Sequence, residues 1–344
     1  MTRRAENSSP LFSTPRLVVM AILFFTAIAV ALHMGQAAEI RRTLQHSRWW
    51  WVAAAALLQV VFLVNQGALY QAAYRMAGLP AGFGHLLELA ISATFVSAVV
   101  PGGTISGTGL MIFDAARQGL DTARAALANV IFYIFDYLAF LVILLLALFY
   151  LFSRGDLRPY ELAAAAVLAC GVAIALLLLF MLASRPALFV KLTRRLAGAG
   201  GRLSRQLEGR ALHWEAKLWE VTGRLSKVLK AMFRDHPTLT RAAVHALLVE
   251  GIGLMQLQAL FLAFGQSPGP GRLITGYAVG VLFMILSITP QGVGLMEGAM
   301  TAAYASTGIP LEQAVLVTFT YRALSLWMPM AAGLIFFKRT VSRW

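Results

Sequence analysis

Six stretches of the sequence, at about residues 17–38, 49–72, 125–152, 162–184, 242–264 and 311–337, are apolar over a length that carries a helix across a bilayer. Few features restrict a fold as much. A spanning helix satisfies its own backbone hydrogen bonds, and every connection must return to one of two aqueous faces. A composition of 59% hydrophobic and 13% charged residues excludes an ordinary soluble domain. The chain reads as an all-α polytopic membrane protein. The first stretch follows a basic lead and precedes small residues before Glu39, a pattern shared with secretory signals, and is read as a span. The one cysteine, Cys170, lies in an apolar run, so no disulfide can form within the chain.

Two further segments, 86–119 and 273–308, hold a short apolar piece, a proline-glycine break and a second short helical piece. Each is read as a re-entrant helical hairpin that enters and leaves by one face. Cytoplasmic loops collect Lys and Arg, which tests this topology. With a cytoplasmic N-terminus and non-crossing hairpins, 22 basic residues fall inside and 6 outside. If the broken segments were ordinary spans, the best arrangement gives 18 and 10. The hairpin topology therefore gives the stronger asymmetry, with both termini cytoplasmic and the protein integral to the plasma (inner) membrane.

The broken segments align without a gap at an offset of 189 residues, pairing Pro101 with Pro290, Gly103 with Gly292, Gly109 with Gly298 and Gly119 with Gly308. The flanking helices follow the same offset, making 49–152 and 240–341 candidate copies. Three spans separate the hairpins, an odd number, so the copies face opposite ways as an inverted repeat. The expected organisation is an N-terminal tail and first span over 1–48, repeat 1 over 49–152, a linking span over 153–184, a basic amphipathic segment over 185–241, repeat 2 over 242–337 and a tail over 338–344.

Broken backbone at membrane depth is tolerated where it is buried in protein or lines an aqueous cavity. The stretch SITPQGVGLMEGAM, Ser287 to Met300, therefore marks a candidate site, with a half-helix starting near Gly292 whose positive end would face a phosphate or carboxylate. The alternative is close helix packing through the GxxxG spacing of Gly294 and Gly298. Charged residues within spans add to the candidates. Asp136 and Arg322 are each the twelfth residue of their predicted spans, near mid-bilayer, and the offset matches Asp136 with Ser325. They are placed to meet across the pseudo-two-fold axis, either as a structural pair or in a substrate site. Glu297 sits in the second half-helix where the first copy has Thr108, and Glu250 lies within its span with Gln256 and Gln258 beyond it. Glu88, Gln59 and Gln66 are weaker candidates. The histidines, including His33, His85 and His245, show no metal-binding spacing, and GVGLMEG lacks the following Lys-Ser/Thr of a phosphate loop. No metal or cofactor is expected.

The segment Arg185–Arg241 carries 13 Lys or Arg against 4 acidic residues. Leu218, Leu225, Leu229 and Met232 with Trp214 follow helical spacing, while Lys217, Arg224, Lys227 and Lys230 fall on other faces. This reads as helices on the inner leaflet, attracted to anionic headgroups, although retention on the positive side of the membrane accounts for most of the charge. The concentration of basic residues beside the membrane argues against nucleic acid as a partner.

From Pro290 through Gly292, Gly294, Glu297 and Gly298 to Arg322, the C-terminal part resembles the membrane domain of the lysylphosphatidylglycerol synthase/flippase family. In many relatives the first hairpin carries an arginine and a glutamate near its proline; VPGGTISGTGLMIF has neither. The resemblance implies a membrane module that moves aminoacylated phosphatidylglycerol or another phospholipid between leaflets. Full-length family enzymes add a soluble domain that makes the lipid; this chain ends at KRTVSRW, so a translocase without synthase activity is expected. The expected substrate site comprises Arg322, Glu297, Pro290, Gly292, Gly294, Gly298, Asp136, Glu250, Pro101 and Gly103. Membrane phospholipids are the expected partners, with room for a homo-oligomer or a separate lipid-modifying enzyme. Two other readings follow from the same residues: a proton-coupled carrier of a small anion, relayed by Glu250, Glu297 and Asp136, and a scaffold that recruits a lipid enzyme to the basic segment.

Overall fold

The computed structural model describes residues 43, 45–80, 82–100, 103–155, 159–188, 190–191, 211–287 and 289–342. The predicted first span and Pro101 lie outside these residues. Every regular element among the described residues is helical: α1 (Trp49–Met76), α2 (Phe83–Val99), α3 (Thr104–Arg117), α4 (Thr122–Arg154), α5 (Pro159–Ser184), α6 (Ala211–Met232), α7 (His236–Ala263), α8 (Pro270–Leu286), α9 (Leu295–Ser306), α10 (Leu311–Arg322) and α11 (Met328–Ser342). Four are long and apolar enough to cross a membrane: α1, α4, residues Ala165–Ser184 of α5, and α7. These correspond to four of the predicted spans.

The fifth predicted span within the described residues, 311–337, is not one regular helix. A π-helical stretch, Ala323–Trp327, separates α10 from α11. Pro329 supplies the physical reason, since it has no N–H for the carbonyl one turn earlier and its ring crowds that turn, and a wider turn relieves both.

Local sequence sets the other boundaries. The Asp121 carboxylate accepts from the N–H groups of Ala123 at 3.0 Å and Arg124 at 3.3 Å, starting α4, and Gly155 ends it in the left-handed region at φ 73°. Asp235 caps α7 through Thr238 N–H at 3.2 Å, with Pro237 in the first turn.

Helix α1 packs along α7, and two polar clips fasten the pair. Asn65 donates to the His245 carbonyl at 2.8 Å while its own carbonyl oxygen lies 2.7 Å from His245 Nδ1. Gln256 donates to Gln59 Oε1 and to the Ala55 carbonyl, both at 3.1 Å. Such bonds hold helices together where apolar association gives little drive. Around this pair, α2 docks on α11 and α8 docks on α4. Glycines permit the close approaches: a Cβ at Gly333 would stand 2.6 Å from the Ile91 carbonyl oxygen, and Gly276 lies against the Tyr304 ring.

Two buried apolar clusters form. One gathers α2 and α3 with parts of α1, α4, α6 and α7, the other α8, α9 and α10 with parts of α4, α5 and α7. The basic helix α6 packs the C-terminal part of its apolar stripe inward. Leu229 and Met232 are buried in the first cluster beside Leu182 and Ala183, and Ser226 donates to the Ala183 carbonyl at 2.9 Å. That face covers protein, while Arg224, Lys227 and Lys230 remain exposed.

Candidate functional site

The α-helix is interrupted between Leu286, the end of α8, and Leu295, the start of α9, with a short 3-10 turn at Pro290–Gly292, and side chains partner backbone groups there. Ser287 Oγ accepts from Thr289 N–H at 3.0 Å, and the Thr289 hydroxyl donates to the Val293 carbonyl at 3.1 Å. Gly292 and Gly294 take positive φ of 67° and 87°, which glycine adopts without penalty. Gln291 also sits in the left-handed region, at φ 53°, where a side chain is disfavoured. Its carbonyl points at Arg322, whose Nη2 donates to it at 2.8 Å.

Arg322 also donates through Nε to Glu297 Oε1 at 2.7 Å, and both residues are 2% exposed. The other carboxylate oxygen, Oε2, accepts the Gly294 N–H at 2.7 Å, the N-cap amide of α9. Glu297 thus does what an acidic residue at the third position of a helix commonly does, reaching back to the cap, while also neutralising a buried guanidinium. One arginine and one glutamate close the break from both sides. The half-helix start named by the sequence reading is therefore occupied by an internal carboxylate.

A cavity of about 600 Å³ lies behind this arrangement, walled by Gly103 and Thr104 after α2, by Thr289 to Gln291 after α8, and by α1, α2, α4, α7, α8 and α10. Arg322, Asp136, Glu250, Pro290 and Gly103 line it. Gly292 and Gly294 shape the break, and Glu297 reaches the cavity through Arg322. Gly298 stands apart: it is exposed, and a Cβ there would meet nothing within 4 Å. Gly294 is likewise open, so the GxxxG packing alternative finds no contact to support it. Arg322 is ion-paired with Glu297, and Asp136 forms no ion pair among the described residues. Both face the same cavity, and Ser325, matched to Asp136 by the offset, lines it as well.

The wall contains groups that the sequence did not single out. Tyr277 donates to Glu250 Oε2 at 2.9 Å. Tyr70, Tyr133 and Tyr137 add rings and hydroxyls near Asp136, and Tyr321 lines the same cavity. Gln59 and Gln66, the weaker candidates, also line the space. The arrangement joins a guanidinium, two carboxylates, amides and aromatic faces, a mixture able to hold a charged group of either sign.

Comparisons with known sequences agree with the layout. The profile described as lysylphosphatidylglycerol synthase TM region matches residues 16–333. A UPF0104 membrane protein of Methanothermobacter thermautotrophicus is 20% identical over 331 residues, 92% of each chain. Two shorter matches to UPF0104 membrane proteins of that organism are 34% identical over 84 residues, 24% of each chain, and 30% identical over 128 residues, 36% of this chain and 38% of the relative.

Proposed function

The chain belongs to the family of the lysylphosphatidylglycerol synthase transmembrane region, and from that premise we propose that it is a membrane lipid translocase, moving a phospholipid headgroup between leaflets through the cavity at the two hairpin tips. The observation that carries this reading is the convergence of Arg322, Asp136 and Glu250 on one space bordered by both breaks. Ionisable groups at membrane depth are costly and mark transport paths. The headgroup would cross while its acyl chains stay in the bilayer. Its phosphate would engage Arg322, and an amino group, where the lipid carries one, would engage the carboxylates.

The architecture we propose for this movement is an inverted repeat. The two outer helices, α1 and α7, have 28 residues each, and the first hairpin legs, α2 and α8, have 17 each. Under the 189-residue offset, α2 on α11 and α8 on α4 are equivalent contacts. The match sets Glu297 and Arg322 opposite Thr108 and Tyr133, whose side chains are neighbours. One hairpin is then closed by an ion pair and its counterpart by neutral hydroxyls. In this reading the exposed basic face of α6 lies toward anionic headgroups of the cytoplasmic leaflet.

Headgroup-resolved scrambling in proteoliposomes tests the proposal, with wild type beside Arg322→Gln and the double variant Glu297→Gln/Arg322→Gln. Removing one partner of a buried ion pair costs about 3–5 kcal/mol, so the double variant separates folding from transport. Wild-type scrambling that disappears in a well-folded double variant is the expected result. Absence of wild-type scrambling for anionic, zwitterionic and aminoacylated lipids would refute the proposal. Asp136 and Glu250 on the wall favour a proton-coupled carrier of a small anion as the second reading, and pH-driven anion uptake by the same vesicles would identify it.

A further inference from the structure

Glu297 is held by two hydrogen-bond donors, Arg322 Nε–H and Gly294 N–H, each at 2.7 Å from a different carboxylate oxygen. A fork of donors facing a two-oxygen anion suits the free oxygens of a phosphodiester equally well, and arginine favours such paired geometry. The receptor for a phosphate therefore exists already, filled by the chain's own carboxylate. Around it, the cavity wall presents Asp136 and Glu250. Glu250 accepts from Tyr277, and among the described residues neither carboxylate forms an ion pair. With Arg322 neutralised by Glu297, the wall carries two carboxylates and no spare cation among the described residues.

This charge inventory discriminates between headgroups. One that brings only a phosphate would displace Glu297 and leave a buried carboxylate without a partner, an unfavourable outcome in a low-dielectric site. A headgroup that brings a phosphate and an ammonium exchanges ion pairs, leaving neither Arg322 nor Glu297 alone. We infer that Glu297 is an internal stand-in for the substrate's phosphate, and that loading swaps the two. The lipid phosphate takes the Arg322 and Gly294 donors while the headgroup nitrogen takes the released carboxylate, so the cavity selects phospholipids bearing a positive nitrogen. This rests on the translocase reading, which makes the cavity the headgroup's route.

Thermal unfolding of the full chain in detergent tests the exchange with dihexanoyl phosphatidylethanolamine, dihexanoyl phosphatidylglycerol and inorganic phosphate as probes. The ethanolamine lipid is expected to stabilise wild type at concentrations about tenfold below the glycerol lipid, with inorganic phosphate weaker than either. In Glu297→Gln the stand-in charge is gone, and the two lipids should converge to within about twofold. Equal stabilisation of wild type by both lipids, or by inorganic phosphate and the ethanolamine lipid, would overturn the inference, and this comparison needs no variant to fold. A purely structural ion pair would lower stability in Glu297→Gln and leave the preference intact, which also overturns it. Preference in binding without any scrambling would remove translocation and keep the exchange; scrambling at equal rates for both lipids would do the reverse.

Discussion

Arg322 shows what a single residue at the break has to satisfy. It binds the Gln291 carbonyl and the Glu297 carboxylate together, so it stabilises backbone as well as charge. Arg322, Glu297 and Pro290 were legible in the sequence because each is improbable inside an apolar segment unless something there needs it. Gln291 was not, since it contributes its main-chain carbonyl and nothing in its side chain signals that. Tyr277 was equally silent, because a tyrosine within an apolar helix looks like core until its hydroxyl finds Glu250. The strain at Gln291 leads to a prediction. Gln291→Gly keeps the carbonyl and removes the left-handed penalty, so it should stabilise the protein by about 1 kcal/mol in a detergent unfolding titration. A destabilised variant would mean that the Gln291 side chain has a role of its own.

At the scale of elements, proline and glycine spacing announced both interruptions, and the structure ends α2 at Val99 before α3 opens at Thr104, and ends α8 at Leu286 before α9 opens at Leu295. The π-helical stretch escaped because an apolar run of the right length hides a change in turn width, although Pro329 was its visible cause. The apolar stripe of α6 was legible as a helix face, but its spacing does not say what the face meets. A stripe that meets lipid and one that meets Leu182 and Ala183 have the same spacing. Helix docking gives the element-scale prediction. Gly333 abuts the Ile91 carbonyl at a distance no methyl group can share, and backbone cannot yield as a flexible side chain does. Gly333→Ala should therefore separate α2 from α11 and lower stability by about 1–3 kcal/mol, whereas Gly298→Ala, which meets nothing, should leave unfolding almost unchanged. Similar melting of the two variants would contradict the docking described here.

For the whole molecule, the proposed inverted repeat predicts that the bases of the two hairpins lie on opposite sides of the membrane. In a Cys170→Ser background, a membrane-impermeant maleimide should label Ser306→Cys on intact cells and reach Ala116→Cys only after permeabilisation. Labelling of both from one side would eliminate the inverted arrangement. The interlocked packing of α2 on α11 and α8 on α4 also bears on how the protein is made. Translation delivers Gln59, Gln66 and Asp136 to the bilayer well before α7, α8 and α10 exist to cover them. Until then a half-built polar wall faces lipid. The nascent chain therefore needs shelter during that interval, from the insertion machinery or from water drawn in beside it, and the order of synthesis becomes part of the problem this architecture has to solve.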